Sequence, residues 1–109
     1  MHIFHITEQA TWEAAKCALS YDGDTLSSDG FIHCCFLEQI DNVLENWFKG
    51  KRDLVILEIN PEKLNSPVKY ENIEGGQEMF PHIYGPINIG AVVNEKPIKK
   101  GKNDETNIE

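Results

Sequence analysis

The sequence predicts an α+β fold of small, mostly antiparallel sheets with two helices. Three observations carry it. "MHIFHIT" alternates its side chains about an extended axis, "DLVILEIN" (53–60) is an apolar, branched run of strand length, and Leu37, Ile40, Val43, Leu44, Trp47 and Phe48 fall on one helical stripe.

In chain order, "MHIFHIT" is the first strand, with Ile3, His5 and Thr7 on one side and His2, Phe4 and Ile6 on the other. Thr7 is placed to cap a helix over residues 8–18, in which Ala10, Ala14, Ala15, Cys17 and Ala18 form a small apolar face. Residues 19–30, rich in Gly, Asp and Ser, read as a loop with room for one short strand. "FIHCCF" is the second long strand, with Phe31, His33 and Cys35 on one face and Ile32, Cys34 and Phe36 on the other. The helical stripe from Leu37 follows, and Gly50 is suited to end it. "DLVILEIN" has the pattern of a central strand buried on both faces. "PEKL" makes a turn, 67–73 a strand and "EGGQE" (74–78) a flexible turn. Residues 79–93 hold two strands bent at their prolines and glycines, with Phe80, His82 and Tyr84 on one face.

A chain of 109 residues with 40% hydrophobic content fills one core, so a single domain is expected over 1–98, followed by a disordered polar tail over 99–109. Three cysteines, no charged-then-apolar leader and no apolar run near the roughly 20 residues of a membrane span lead us to expect a reduced, cytoplasmic protein without disulfides or membrane partner. Eighteen acidic against ten basic residues, a net charge of -8 and one arginine, Arg52, disfavour non-specific nucleic-acid binding. The glycines match no phosphate-binding loop, and the absence of Cys-x-x-Cys speaks against structural zinc and thioredoxin-like chemistry.

The remaining signal is histidine. A lone histidine in a strand is most often a satisfied packing residue. His5, His33 and His82 all occupy strand interiors, and three such positions out of four histidines point to a site. Glu78 stands at a loop-to-strand junction where a carboxylate reaches a cleft and stays ionised, with Glu71 a second candidate. Thr7 is either a hydroxyl in the same pocket or the helix cap. Cys35 shares the His33 face, but a strand spacing of about 7 Å between i and i+2 side chains rarely lets a thiolate and an imidazole touch. Cys17 and Cys34 read as small core residues.

"FHIT", Trp12, Tyr21, "GFIHCC", Gln39, "DLVILEI", "VKYE" and "FPHIYGPIN" followed by "AVV" resemble the small bacterial family known as domain of unknown function 952, over residues 2 to 95. Cys35 departs from the serine or threonine expected of the family at that position. The family is similar in architecture to the ADP-ribosyltransferase superfamily, which implies a split barrel-like core around a cleft and NAD as substrate. By that resemblance His5, the His33 and Cys35 strand, and Glu78 or His82 correspond to the three polar positions of an NAD site. His5 then orients a ribose or amide, His33 lines the nicotinamide pocket, and Tyr84, Phe31 or Trp12 stacks on a planar ring. Glu78 stabilises a developing oxocarbenium ion. Removal of a 2′-phosphate from tRNA, a related activity, needs more basic residues than this chain has.

Three readings stay open. One is an NAD-dependent ADP-ribosyl transferring or hydrolysing enzyme with His5, His33, Glu78 and His82 as catalytic residues and Thr7, Phe31, Cys35 and Tyr84 around the ligand. Another is a non-catalytic module for a nucleotide-like small molecule. Residue type alone also admits a three-imidazole metal site at His5, His33 and His82.

Overall fold

A computed structural model describes residues 1–23, 25–72 and 78–100. Every strand pair among them is antiparallel, and the strands form three small sheets. The first has the order β1 (Ile3–Glu8), β4 (Arg52–Ile59), β8 (Val92–Lys100). The second pairs β2 (Ser20–Tyr21) with β7 (Ile87–Asn88), and the third runs β3 (Ile32–His33), β6 (Phe80–Ile83), β5 (Val68–Glu71). The helices are α1 (Gln9–Ala18), α2 (Leu26–Asp29) and α3 (Ile40–Trp47). The α+β class expected from the sequence holds, with a one-turn helix α2 added inside the expected loop. No helix among the described residues is long and apolar enough to cross a membrane.

β4 is the central strand of its sheet and is buried on both faces, as its branched run predicts. Val55, Leu57 and Ile59 enter one apolar cluster with Ile3, Trp12, Ile32, Ile83 and Ile87. Leu54 enters a second with Ile6, Cys35, Ile40 and Leu44, against which Ile56 packs. The two clusters lie on opposite sides of the β1-β4 pair, following the strand period of two.

α1 differs from its expected packing. Trp12, 1% exposed, and Ala15 are its buried residues, while Ala10, Ala14, Cys17 and Ala18 face outward. One indole buries far more apolar area than several methyl groups and so sets the rotation of the helix. This also removes Trp12 as a ring for stacking on a ligand, because its faces are spent in the core, edge-on to Tyr21. Thr7 is no cap either: it lies within β1, Glu8 occupies the N-cap position, and neither makes a side-chain cap bond.

The expected second helix splits into a 3-10 turn, Leu37–Gln39, and α3. Ile40 and Leu44 are buried, whereas Leu37 and Trp47 at the ends of the stripe are exposed. "FIHCCF" is no single strand. Ile32 and His33 pair with β6, after which Cys35 pairs with Phe4 of β1 through reciprocal main-chain hydrogen bonds of 2.8 Å. β8 was not expected from its charged, proline-containing sequence, yet it pairs along β4 from Val92 to Lys100. It is an edge strand, where proline is tolerated. It also takes in Lys99 and Lys100, which the sequence assigned to the tail. Residues 101–109 of that tail, Ile73 of the expected strand and positions 74–77 of the expected turn lie outside the described residues. Gly85, at φ 154°, turns the chain between β6 and β7 where a Cβ would collide with the Ser66 side chain.

Leu57→Ala removes a fully buried side chain from the main cluster. Urea denaturation is expected to show a loss of about 2–5 kcal/mol with an unchanged slope.

Candidate functional site

The third sheet presents one polar, aromatic face. Antiparallel pairing sets His33 of β3 directly opposite His82 of β6, and Lys69 of β5 opposite His82 on the other side. Alternation along each strand then collects Phe31, His33, Phe80, His82, Tyr84, Lys69 and Glu71 on this face. Ile32 and Ile83 turn the other way into the core.

Phe31 stacks on His82 with ring centroids 4.2 Å apart and an interplanar angle of 21°, and lies 4.8 Å from the His33 ring. The two imidazoles meet edge to face at 5.4 Å. Each has a carboxylate behind it. His82 Nδ1–H donates to Glu71 Oε1 at 2.8 Å, and Tyr84 O–H donates to the same oxygen at 2.6 Å. The Tyr84 and His82 hydrogen bonds, in that order, hold the Glu71 carboxyl below the usual carboxylate range, and the carboxylate pushes the Tyr84 phenol up. His33 Nε2–H donates to Asp29 Oδ2 at 2.9 Å. α2 ends at Asp29, and Gly30 at φ 86° turns the chain into β3, which brings the carboxylate back to the imidazole four residues on. His33 Nδ1 and His82 Nε2 carry no hydrogen bond to a described residue, and both rings line a cleft of about 670 Å³.

The cleft is lined by apolar Phe4, Ile6, Cys35, Val43, Phe48 and Phe80 and by polar Thr25, Asp29, His33 and His82. Trp47, 64% exposed, and Glu78 also line it. No lysine or arginine lines it among the described residues. Lys69 stands outside, its Nζ 5.0 Å from the Tyr84 ring centroid.

His5, Phe31, His33, Cys35, Glu78 and His82 therefore line one cleft. Their settings differ. His5 is buried, donating from Nδ1 to the His33 carbonyl at 2.6 Å, with its Nε2 2.7 Å from the Tyr21 hydroxyl. The carbonyl only accepts, so Nδ1 holds the proton, and in the neutral ring Nε2 accepts from Tyr21. Both nitrogens are committed, which makes His5 a positioning residue and removes it from a metal site. Among the described residues no three histidine, cysteine or carboxylate side chains are grouped to hold a metal ion. Thr7 is buried in β1 and does not line the cleft; its Oγ1 has no hydrogen-bond partner among the described residues. Tyr84 does not line it either and acts through Glu71. Phe31 has one face occupied by His82, so it steadies that ring. Burial, reinforced by Glu38, pushes the Cys35 thiol up to about 12, far from a nucleophilic thiolate. Cys17, expected in the core, is exposed.

The family model described as "Protein of unknown function (DUF952)" matches residues 6–95. The chain belongs to this family. The DUF952 fold seen here is similar to the crystal structure of protein CC0527 from Caulobacter crescentus, with 35% identity, a TM-score of 0.81, and coverage of 89% of this chain and 85% of that one. A double mutant of CC0527 matches with 34% identity, the same coverage and a TM-score of 0.80. Its solution NMR structure matches with 33% identity and 0.80, covering 94% of this chain and 88% of that one. No curated protein matches.

At and beside the DUF952 cleft stand two residues to which the sequence reading assigned no site role, Asp29 in its lining and Gln39 next to it. Asp29 hides in a polar loop, and its only signal is an acid four residues before a histidine. Gln39 enters the sequence reading only through the family resemblance, without a role. It is buried, accepting from the Phe36 N–H at 2.8 Å and donating from Nε2 to Glu78 Oε1 and the Met79 carbonyl, each at 3.1 Å. It thereby fixes the Glu78 carboxylate at the cleft.

Two outcomes follow for this DUF952 chain. In the native state a thiol reagent at mildly alkaline pH is expected to label Cys17 quickly and Cys34 and Cys35 only after unfolding, because burial raises both inner thiols; fast labelling of two or more thiols contradicts this. The depressed Glu71 carboxyl contributes stability above its unfolded range, near 4.5, which is lost as pH falls through the folded value. The stability gap between wild type and Glu71→Gln is thus expected to be widest at neutral pH and to shrink below the ordinary carboxylate range, as read by denaturant titration at several pH values.

Proposed function

We propose that the cleft belongs to an acid–base enzyme acting on the bond between a planar nitrogen base and a sugar. This is the reaction class implied by the ADP-ribosyltransferase resemblance, with NAD as the first substrate to try. The reading is carried by one observation: His33 and His82 stand opposite each other, each held by a carboxylate through one nitrogen and free to meet a ligand through the other. A cleft walled by strands of two small antiparallel sheets and by α3 is in keeping with it. So is a reducing, cytoplasmic setting, given three free cysteines.

In this reaction a water or acceptor hydroxyl attacks the anomeric carbon. The carbon–nitrogen bond breaks, and its electron pair leaves on the base. His82 Nε2 takes the proton of the attacking oxygen, while Glu71 behind it stabilises the imidazolium that forms. In the singly protonated pair, His33 Nδ1–H is left to protonate a neutral leaving base; a cationic nicotinamide needs no such proton. Glu78, steadied by Gln39, faces the positive charge that grows on the sugar.

The second reading is a module that binds such a ligand without turnover. It is favoured by the absence of lysine and arginine from the described cleft walls, which leaves a pyrophosphate facing Asp29 and Glu78.

Incubation with millimolar NAD, with nicotinamide release followed by chromatography, tests the proposal. Wild-type release is expected to fall about 100-fold or more in His82→Ala, with circular dichroism unchanged. Binding by calorimetry without release supports the module. Absence of NAD binding removes NAD from both readings.

A further inference from the structure

Along α3, next to the cleft, lies a notch of about 160 Å³. It shares Val43, Trp47, Glu78 and Phe80 with the cleft and adds the carboxamides of Gln39, Asn42 and Asn46. Asn42 and Asn46 are one helical turn apart and so stand on the same side of α3. Neither is bonded to a described residue, whereas Gln39 is used in holding Glu78. Free carboxamides that both donate and accept, an oriented carboxylate that accepts and a largely exposed indole face suit a ring rich in hydroxyl groups.

Charge narrows the class further. Among the described residues neither cavity is lined by a lysine or arginine; both are lined by Glu78, and the cleft by Asp29 as well. A phosphate placed here meets carboxylates without a lysine or arginine beside it, in a chain of net charge -8. We infer that the substrate is a phosphate-free nucleoside or related glycoside, its base against the apolar side chains of the cleft and its sugar in the notch. This rests on the glycosyl-bond reading above. Phe80, one of the four residues common to both cavities, lies on β6 two residues before His82, so a bond bridging base and sugar there passes beside the imidazole pair.

The test is a titration of isotope-labelled protein with nicotinamide riboside, free nicotinamide, NAD and inorganic phosphate, followed by amide-detected NMR. The riboside is expected to shift the side-chain amides of Asn42 and Asn46 and the Trp47 indole N–H. It is also expected to bind about ten-fold more tightly than NAD. Asn46→Leu, an exposed change on α3, is expected to weaken the riboside about five-fold more than free nicotinamide, the loss of roughly one hydrogen bond. Tighter binding of NAD than of the riboside, or notch amides that respond to phosphate, overturns the inference and leaves the glycosyl-bond reading standing. Failure of both riboside and NAD to bind overturns the two together.

Discussion

Three separate sheets meet at one imidazole. His5 belongs to β1, donates to the main chain of β3 at His33 and is bonded to the hydroxyl of Tyr21 in β2. One residue before it, Phe4 exchanges both main-chain hydrogen bonds with Cys35. The segment from Phe31 to Phe36 is thereby clamped between two sheets, paired with β6 in its first half and with β1 in its second. The relative placement of the sheets, and hence the cleft that opens where they diverge, depends on this seam. A buried imidazole suits the task because it bridges a carbonyl and a hydroxyl at once, which no aliphatic side chain can do.

The carboxylate pairs behind His33 and His82 are of unequal character. Asp29 and His33 are both about half exposed, a setting in which an ion pair adds little to stability. His82 is nearly enclosed, with Phe31 stacked on it and Glu71 fixed by a second donor, Tyr84. One member of the pair is thus rigid and shielded while the other can adjust. That asymmetry is the usual way in which two like groups acquire different duties.

Much of the fold is legible in the residues because it follows from periodicity. The alternation of "MHIFHIT" and the branched run of "DLVILEIN" specify β1 and β4, and the period of two correctly puts Phe31, His33 and Cys35 toward one cavity. What periodicity misses is decided by single large side chains or by pairing partners. Trp12 overrides four of the five small residues in orienting α1. β8 exists because β4 offers it an edge, whatever its own charged sequence prefers. The histidines are visible as types, but their roles are not. His5 and His82 look alike in the sequence, and they are told apart by what their nitrogens reach, a main-chain carbonyl in one case and a carboxylate in the other. The roles of Asp29 and Gln39 stay hidden because a polar residue next to a turn or helix start is ordinary until its partner, His33 in one case and the distant Glu78 in the other, is known.

The seam has a consequence for the paired thiols at its centre. Cys34 lies in the main apolar cluster and Cys35 in the second, and their N–H groups are tied in opposite directions, to Pro81 and to Phe4. Adjacent sulfurs on opposite faces of an extended chain cannot join without a local reversal of the backbone, and that reversal would release both sheets. Despite its neighbouring cysteines, this stretch is built as a fixed seam in which burial keeps both thiols protonated and the backbone keeps their sulfurs apart.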